Sequence, residues 1–313
     1  PMAELAPEVP VRNPFGQDAP LRLVHLLEHT SGWADYTLKQ FATHGRGMRL
    51  ADAVLKDSPY TVRYAPGLYY AYANPGSAAA ALMVERASGT PYYDFVKSRW
   101  FEPLGMASAT FDKPVRDLAV SYLADRKTSA GYMELSARAV GALNVTPRDL
   151  ARYPLLMLGR GTLDGRTYLS PESVARIERG EASAAARAGL KELYGLANLP
   201  SYHRKATFRG HGGAVDGALA LAEYWPGHNS GFVLMWTVQK ENDAAEVVRN
   251  YLTRDAPMPP PPKDAPVDGG IDRLAGTYQV ISVRQPFGEP FDALLNPPVV
   301  TVEGPKLVID GKK

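Results

Sequence analysis

The pattern of hydrophobic and polar positions changes period along the chain. Ser77 to Ser88 is alanine-rich and apolar on most faces, with Gly89 just beyond, which predicts a buried helix. A shorter apolar helix reads from Leu21 to His29 and stops near Gly32; another runs from Pro91 to Trp100, before Pro103-Leu104-Gly105-Met106. Thr146-Pro147-Arg148-Asp149 is a helix start: Thr146 can cap, Pro147 suits the first turn, and Asp149 can return the bond. That helix is expected to reach Leu158, and a further one to span Pro171 to about Gly180. From Phe208 the period shortens. Ala218 to Trp225 and Gly231 to Val238 are apolar runs separated by the turn cluster Pro226-Gly227-His228-Asn229-Ser230, which predicts a strand hairpin. Residues 240–253 then read as an amphipathic helix, with Ala245, Val248 and Leu252 on one side.

The ends are less regular. Residues 1–20 are broken by Pro7, Pro10, Pro14 and Pro20. Pro257 to Pro262 is a stiff, extended linker. Ala275 to Val283 and Val299 to Ile309 read as strands, too few for an independent sheet. The expected layout is a main domain over 1–255, a linker over 256–270 and a partial β domain over 271–313. The chain opens on Pro1-Met2, so its start reads as internal to a longer protein, and the lack of a signal peptide does not argue for the cytoplasm.

Composition narrows the chemistry. Cysteine is absent, which excludes disulfides, thiolate metal sites and a cysteine nucleophile. The net charge is +2 and no dense basic run exists, so nucleic acid is not an expected partner. No apolar run approaches the roughly 20 residues that span a bilayer.

Four local patterns could carry function. No Gly-x-Ser-x-Gly is present, and no Ser has Lys three residues on. Ser31 in His29-Thr30-Ser31-Gly32 is either a nucleophile or part of a helix-ending turn; the turn needs fewer assumptions. His25-Leu26-Leu27-Glu28-His29 fits H-x-x-E-H, a zinc-peptidase pattern, provided that one helical face carries both histidines; otherwise it is a structural helix. Tyr72-Ala73-Asn74 holds a tyrosine that could move protons if its pKa of about 10 were lowered, or else a core aromatic. Gly210-His211-Gly212-Gly213 would let a ligand approach the backbone, and no Gly-Lys-Ser/Thr follows to make it a phosphate loop.

In order and spacing these segments resemble the serine β-lactamase-like hydrolases, which include class C β-lactamases, D-alanyl-D-alanine carboxypeptidases, esterases and D-amino-acid peptidases. The resemblance covers roughly residues 1–255. It rests on the segment from Pro20 to Gly32, Tyr64-Ala65-Pro66-Gly67, Tyr72-Ala73-Asn74, Pro103-Leu104-Gly105-Met106, Thr146-Pro147-Arg148-Asp149-Leu150 and Gly210-His211-Gly212-Gly213. It implies an α/β fold, with an antiparallel sheet flanked by helices and a helical region inserted at about 33–205. It also implies catalysis through an acyl-enzyme, with no cofactor or metal, on a small-molecule or peptide substrate. Tyr72 would be the general base, assisted by two nearby cations. Asn74 would hold the family's catalytic lysine and the substrate amide, His211 would sit by the tyrosine and orient substrate, and Gly213 and the Ala214 N–H would line half of an oxyanion hole. The wall from Tyr132 to Arg187 would set the substrate. The exported, multidomain branch of the family fits best, with any membrane attachment outside this chain.

One departure stands out. The family places Ser-x-x-Lys before the His-Leu-Leu-x-His helix, and here the residues before that helix contain no serine. The expectation is therefore a fold lacking its nucleophile segment, inactive as it stands, with a vacant sheet edge and an exposed apolar surface. A non-catalytic binding or scaffold module and the zinc peptidase remain as alternatives.

Overall fold

The computed structural model describes residues 1–41, 48–204, 206–238, 243–258, 270–278, 298–303 and 306–309. The chain divides into two compact units, Pro1–Pro257 and Met258–Lys313. The Pro257–Pro262 linker expected from sequence falls mostly outside the described residues.

The first unit is built on a four-stranded antiparallel sheet of β1 (Leu199–His203), β2 (Ala206–Val215), β3 (Ala218–Trp225) and β4 (Ser230–Trp236), in that order. The β3–β4 hairpin falls where the period-two pattern predicts it, and Asn229 takes the left-handed turn conformation at φ 48°. β1 is not evident from the sequence, because Pro200 and the polar Ser201 interrupt its alternation. The Gly210-His211-Gly212-Gly213 run lies within β2 rather than before a strand. Gly210 is required there: at φ +150° a Cβ would sit 2.0 Å from the Ala222 carbonyl oxygen. On edge strand β4 every residue from Phe232 to Trp236 is half-buried, and Val247 and Tyr251 on the following helix are each 63% exposed.

Helices α1 (Leu23–Leu27) and α2 (Asn74–Ser88) pack together beside this sheet's unit core. α2 begins three residues before the expected Ser77, with Pro75 in its first turn, and ends at Gly89 in the left-handed conformation. Its Ala78–Ala81 run lets neighbours approach closely, so Leu26, Trp33, Val54, Val62 and Leu82 form one buried cluster around it. α1 is shorter than the expected Leu21–His29. The helix expected from Thr146 divides into α3 (Pro147–Leu150) and α4 (Arg152–Leu158), because Pro154 has no N–H to offer the Leu150 carbonyl. Thr146 does cap, accepting from the Asp149 N–H. The Pro91–Trp100 helix opens into a wider turn from Lys97 to Phe101. Further helices are α5 (Pro171–Glu178) and α6 (Ala244–Leu252).

In the second unit, Val299–Glu303 pairs antiparallel with Lys306–Ile309 and with Gly276–Thr277, a small three-stranded sheet among the described residues. Most of the strand expected from Ala275 to Val283 lies outside them.

One ion pair ties the sheet of the first unit to α6. Glu223 on β3 is 1% exposed, accepts from Arg249 Nη2 at 2.7 Å and Nε at 2.9 Å, and accepts from the Ser201 hydroxyl at 2.6 Å. A buried carboxylate is tolerable only when so paired. Glu223→Ala leaves the Arg249 guanidinium without its carboxylate and is expected to cost about 3–5 kcal/mol, read as a lower urea midpoint. The double variant Glu223→Leu/Arg249→Met removes both charges and should lose less.

Candidate functional site

The site begins where α1 ends. Glu28 leaves helical geometry and His29 turns to φ 52°, so the chain reverses into an extended segment. Gly32 permits this at φ +77°, where a Cβ would stand 2.6 Å from the Tyr64 carbonyl oxygen. The reversed segment is then laced to residues 63–73. The Gly32 carbonyl accepts from Arg63 N–H at 3.0 Å, that of Thr30 from Gly67 N–H at 2.8 Å, and that of His29 from Ala71 N–H at 2.8 Å. The Ala73 N–H donates to His29 Nδ1 at 3.2 Å. Extended backbone alternates its sides. Ala71 and Ala73 therefore point inward and are buried, while Tyr70 and Tyr72 point the other way.

Tyr72 lies against His29, with ring centroids 4.2 Å apart, and its hydroxyl donates to Asn74 Oδ1 at 3.4 Å. Asn74 opens α2 and is itself held by Asp35, a buried residue that the sequence reading did not single out. Asp35 Oδ1 accepts from the Asn74 N–H at 2.8 Å, and Oδ2 accepts from Asn74 Nδ2 at 3.2 Å. The carboxylate thus occupies the amide NH₂ and leaves Oδ1 facing Tyr72. A negative charge at the first turn also suits the helix dipole. Asp35 stands 39 residues before Asn74, too far for any local capping signal to reveal it.

From the sheet, β2 brings His211 to within 6.2 Å of Tyr72, ring to ring. Pairing between β1 and β2 ends at Leu199–Gly210, while β2 continues beside β3 to Val215. Beyond Gly210, therefore, alternate N–H groups of β2 face a side with no paired strand among the described residues. Gly213 and Ala214 lie in this stretch and are exposed, and a Cβ on Gly213 would meet nothing within 4 Å. Tyr194 joins the two halves. Its hydroxyl lies 2.8 Å from His211 Nε2 and 3.2 Å from His29 Nε2. Burial, with Tyr72, Tyr70 and Tyr153 nearby, pushes the Tyr194 hydroxyl pKa upward, and burial lowers that of His211. Sequence offers no sign of Tyr194, a lone tyrosine in a loop.

The other candidates part company. Ser31 is 1% exposed and its hydroxyl accepts from the Trp33 N–H at 3.3 Å, which is the turn reading. Because α1 stops at Leu27, His25 and His29 do not share a helical face. His25 Nδ1 accepts from the Arg22 N–H. Glu28, 2% exposed, accepts from Arg176 Nη2 at 2.6 Å and from the N–H groups of Glu181 and Ala182 at 2.8 and 2.7 Å. The three residues of the H-x-x-E-H pattern thus turn to three different sets of partners. Among the described residues, no three His, Asp or Glu side chains gather as a metal site would require.

Comparison with known proteins fits this arrangement. The Beta-lactamase family profile matches residues 1–256, and the chain belongs to that family. Penicillin-binding protein 4 of Amycolatopsis lactamdurans is 28% identical over 289 residues, covering 81% of this chain and 70% of its own length. A D-stereospecific amidohydrolase from Streptomyces sp. has a similar fold, with TM-score 0.60 and 20% identity over 80% of this chain and 77% of its own. A beta-lactamase/D-alanine carboxypeptidase from Yersinia pestis aligns with TM-score 0.61 at 20% identity, over 81% of this chain and 76% of its own. The fold is thus β-lactamase-like, with mixed helices and an antiparallel sheet.

His25 supplies a pH test. Burial first, then the Arg22 and Arg187 cations, lower its pKa from 6.5 to about 4. The unfolded chain, with His near 6.5, therefore binds more protons between these values. Folded stability should be full above pH 6.5 and fall as pH drops toward 4. Thermal melts across that range are expected to show a shallower decline for His25→Asn than for the native protein; identical slopes would refute the assignment.

Proposed function

We propose that this chain is the greater part of a serine hydrolase that cleaves an ester or amide, plausibly of a D-amino-acid peptide, through an acyl-enzyme. The observation that carries the reading is the convergence of Tyr72 and Asn74, held by His29 and Asp35, with the open side of β2 at His211, Gly213 and Ala214. Tyr72 takes the proton from the attacking serine and returns it to the leaving group. Asn74 Oδ1 faces the same space and accepts from a substrate N–H. The Ala214 N–H supplies one oxyanion donor, a contribution of about 10²–10³ in rate.

The nucleophile is the part not found in residues 1–313, where no Ser has Lys three positions on. The proposal assigns Ser-x-x-Lys to a segment outside them and expects residues 1–313 alone to be inactive. His211-x-Gly213 in place of Lys-Thr-Gly favours esters and peptides over penicillins. A cavity of about 240 Å³ is lined by Thr30, Tyr70, Tyr194, Leu199, Pro200 and Tyr202. It is smaller than the roughly 300–1,000 Å³ of a drug-sized site and suits one apolar substrate side chain. Of the wall expected between Tyr132 and Arg187, Gly180 and Ser183 reach it. An extracytoplasmic location accords with peptide substrates of this kind.

The test uses a fluorophosphonate probe and a chromogenic ester. Protein expressed with its upstream coding sequence should be labelled on a serine before Pro1, and Tyr72→Phe in that protein should lower ester turnover by about 10²–10⁴. Residues 1–313 alone should show neither labelling nor turnover. Labelling of a serine between Ser31 and Ser282, or ester turnover by residues 1–313 that Tyr72→Phe abolishes, would overturn the assignment.

A further inference from the structure

The hydrogen bonds that join His29, Tyr194 and His211 end at both sides on backbone groups of fixed polarity, and this gives the chain a direction. An amide N–H can only donate, so His29 Nδ1, 3.2 Å from the Ala73 nitrogen, is an acceptor. Neutral imidazole carries one proton, so in His29 it sits on Nε2 and points at the Tyr194 oxygen, 3.2 Å away. At the other end a carbonyl can only accept. His211 Nδ1 is 2.5 Å from the Gly212 oxygen and must hold the proton between them. His211 Nε2 then presents a lone pair to Tyr194 at 2.8 Å, and the phenol proton lies on that contact. The opposite assignment sets two lone pairs against each other at the Gly212 carbonyl. A doubly protonated His211 would turn two imidazole donors onto one phenol oxygen and drive the phenol proton away from both rings.

We infer that the Ala73 N–H and the Gly212 carbonyl set His29 and His211 in opposite neutral tautomers, Nε2–H and Nδ1–H, and that Tyr194, accepting from one ring and donating to the other, is the positioning residue that fixes the Tyr72 segment against β2. His211 is left with no nitrogen free for substrate. Its contribution is to the placing of β2, and Tyr72 is the base that remains. This consequence for catalysis rests on the function proposed above; the tautomers do not. Among the described residues, Tyr70, Tyr72 and Tyr153 are titratable groups that also lie near this chain, with the Tyr70 and Tyr72 rings 5.6 and 6.4 Å from that of Tyr194.

Long-range ¹H–¹⁵N correlation spectra of ¹⁵N-histidine-labelled protein at neutral pH, without substrate, test the inference. His29→Gln and His211→Gln identify the two signals by their loss. The native protein should show His29 protonated at Nε2 and His211 at Nδ1, the form that free imidazole disfavours. Tyr194→Phe removes the donor to His211 Nε2. The Gly212 carbonyl should keep the neutral ring as Nδ1–H, and His211, having lost a donor to its lone pair, should titrate at higher pH. Native His211 found as Nε2–H or cationic would overturn the inference without any variant, as would an unchanged His211 titration midpoint in folded Tyr194→Phe. Because no turnover is read, these outcomes are separate from labelling of the serine.

Discussion

The site depends on a single buried imidazole. His29 is 2% exposed, so each of its polar atoms needs a partner inside the protein. Its carbonyl receives Ala71, its Nδ1 receives Ala73, and its Nε2 meets Tyr194. The first two bonds flank Tyr72 and fix the direction of its side chain. The third reaches toward the sheet. A left-handed backbone at a non-glycine residue costs about 1–2 kcal/mol, and at His29 these bonds and the enclosed ring offset that strain. A smaller or apolar residue here would leave the buried Ala73 N–H without its side-chain acceptor and would cut the Tyr194 oxygen's contact with the Tyr72 segment.

Glu28 extends the same logic in the opposite direction. Adjacent residues at a reversed helix end project to different sides, so Glu28 gathers Arg176 and the N–H groups of Glu181 and Ala182 while His29 gathers the Tyr72 segment. One dipeptide thereby connects the loop after α5 with the start of α2. With three donors on one carboxylate, the charge is matched rather than stranded. This explains why a Glu-His pair can resemble a metal motif without being one: the residue types are those that bind strongly, and here they bind the protein.

Much of the fold is legible in sequence where a local signal suffices. The β3–β4 hairpin follows from two apolar runs around a turn cluster, and α2 from its alanine run and Gly89. Boundaries shift where tertiary contacts outweigh local pattern. α2 starts early because Asp35 caps it from a distant loop, and α1 stops early because His29 reverses the chain. Tyr72, Asn74 and His211 could be named because their spacing resembles a known family. Asp35 and Tyr194 could not, since Asp35 acts on a residue 39 positions away and Tyr194 bridges two residues 17 and 165 positions away. Nothing in a lone acidic or aromatic residue records such a partner.

The electrostatics of the cluster bear on what Tyr72 requires. A tyrosine serves as base near neutral pH only if cations stabilise its anion, and the resemblance suggests two. His211 is near enough, but burial favours its neutral form. The ring of His29 has an amide proton on one nitrogen and a phenol oxygen at the other, an arrangement that a neutral imidazole already satisfies. Under the function proposed above, the cationic demand would fall on the lysine of an upstream Ser-x-x-Lys, and one residue would both help deprotonate the serine and hold Tyr72 as its anion.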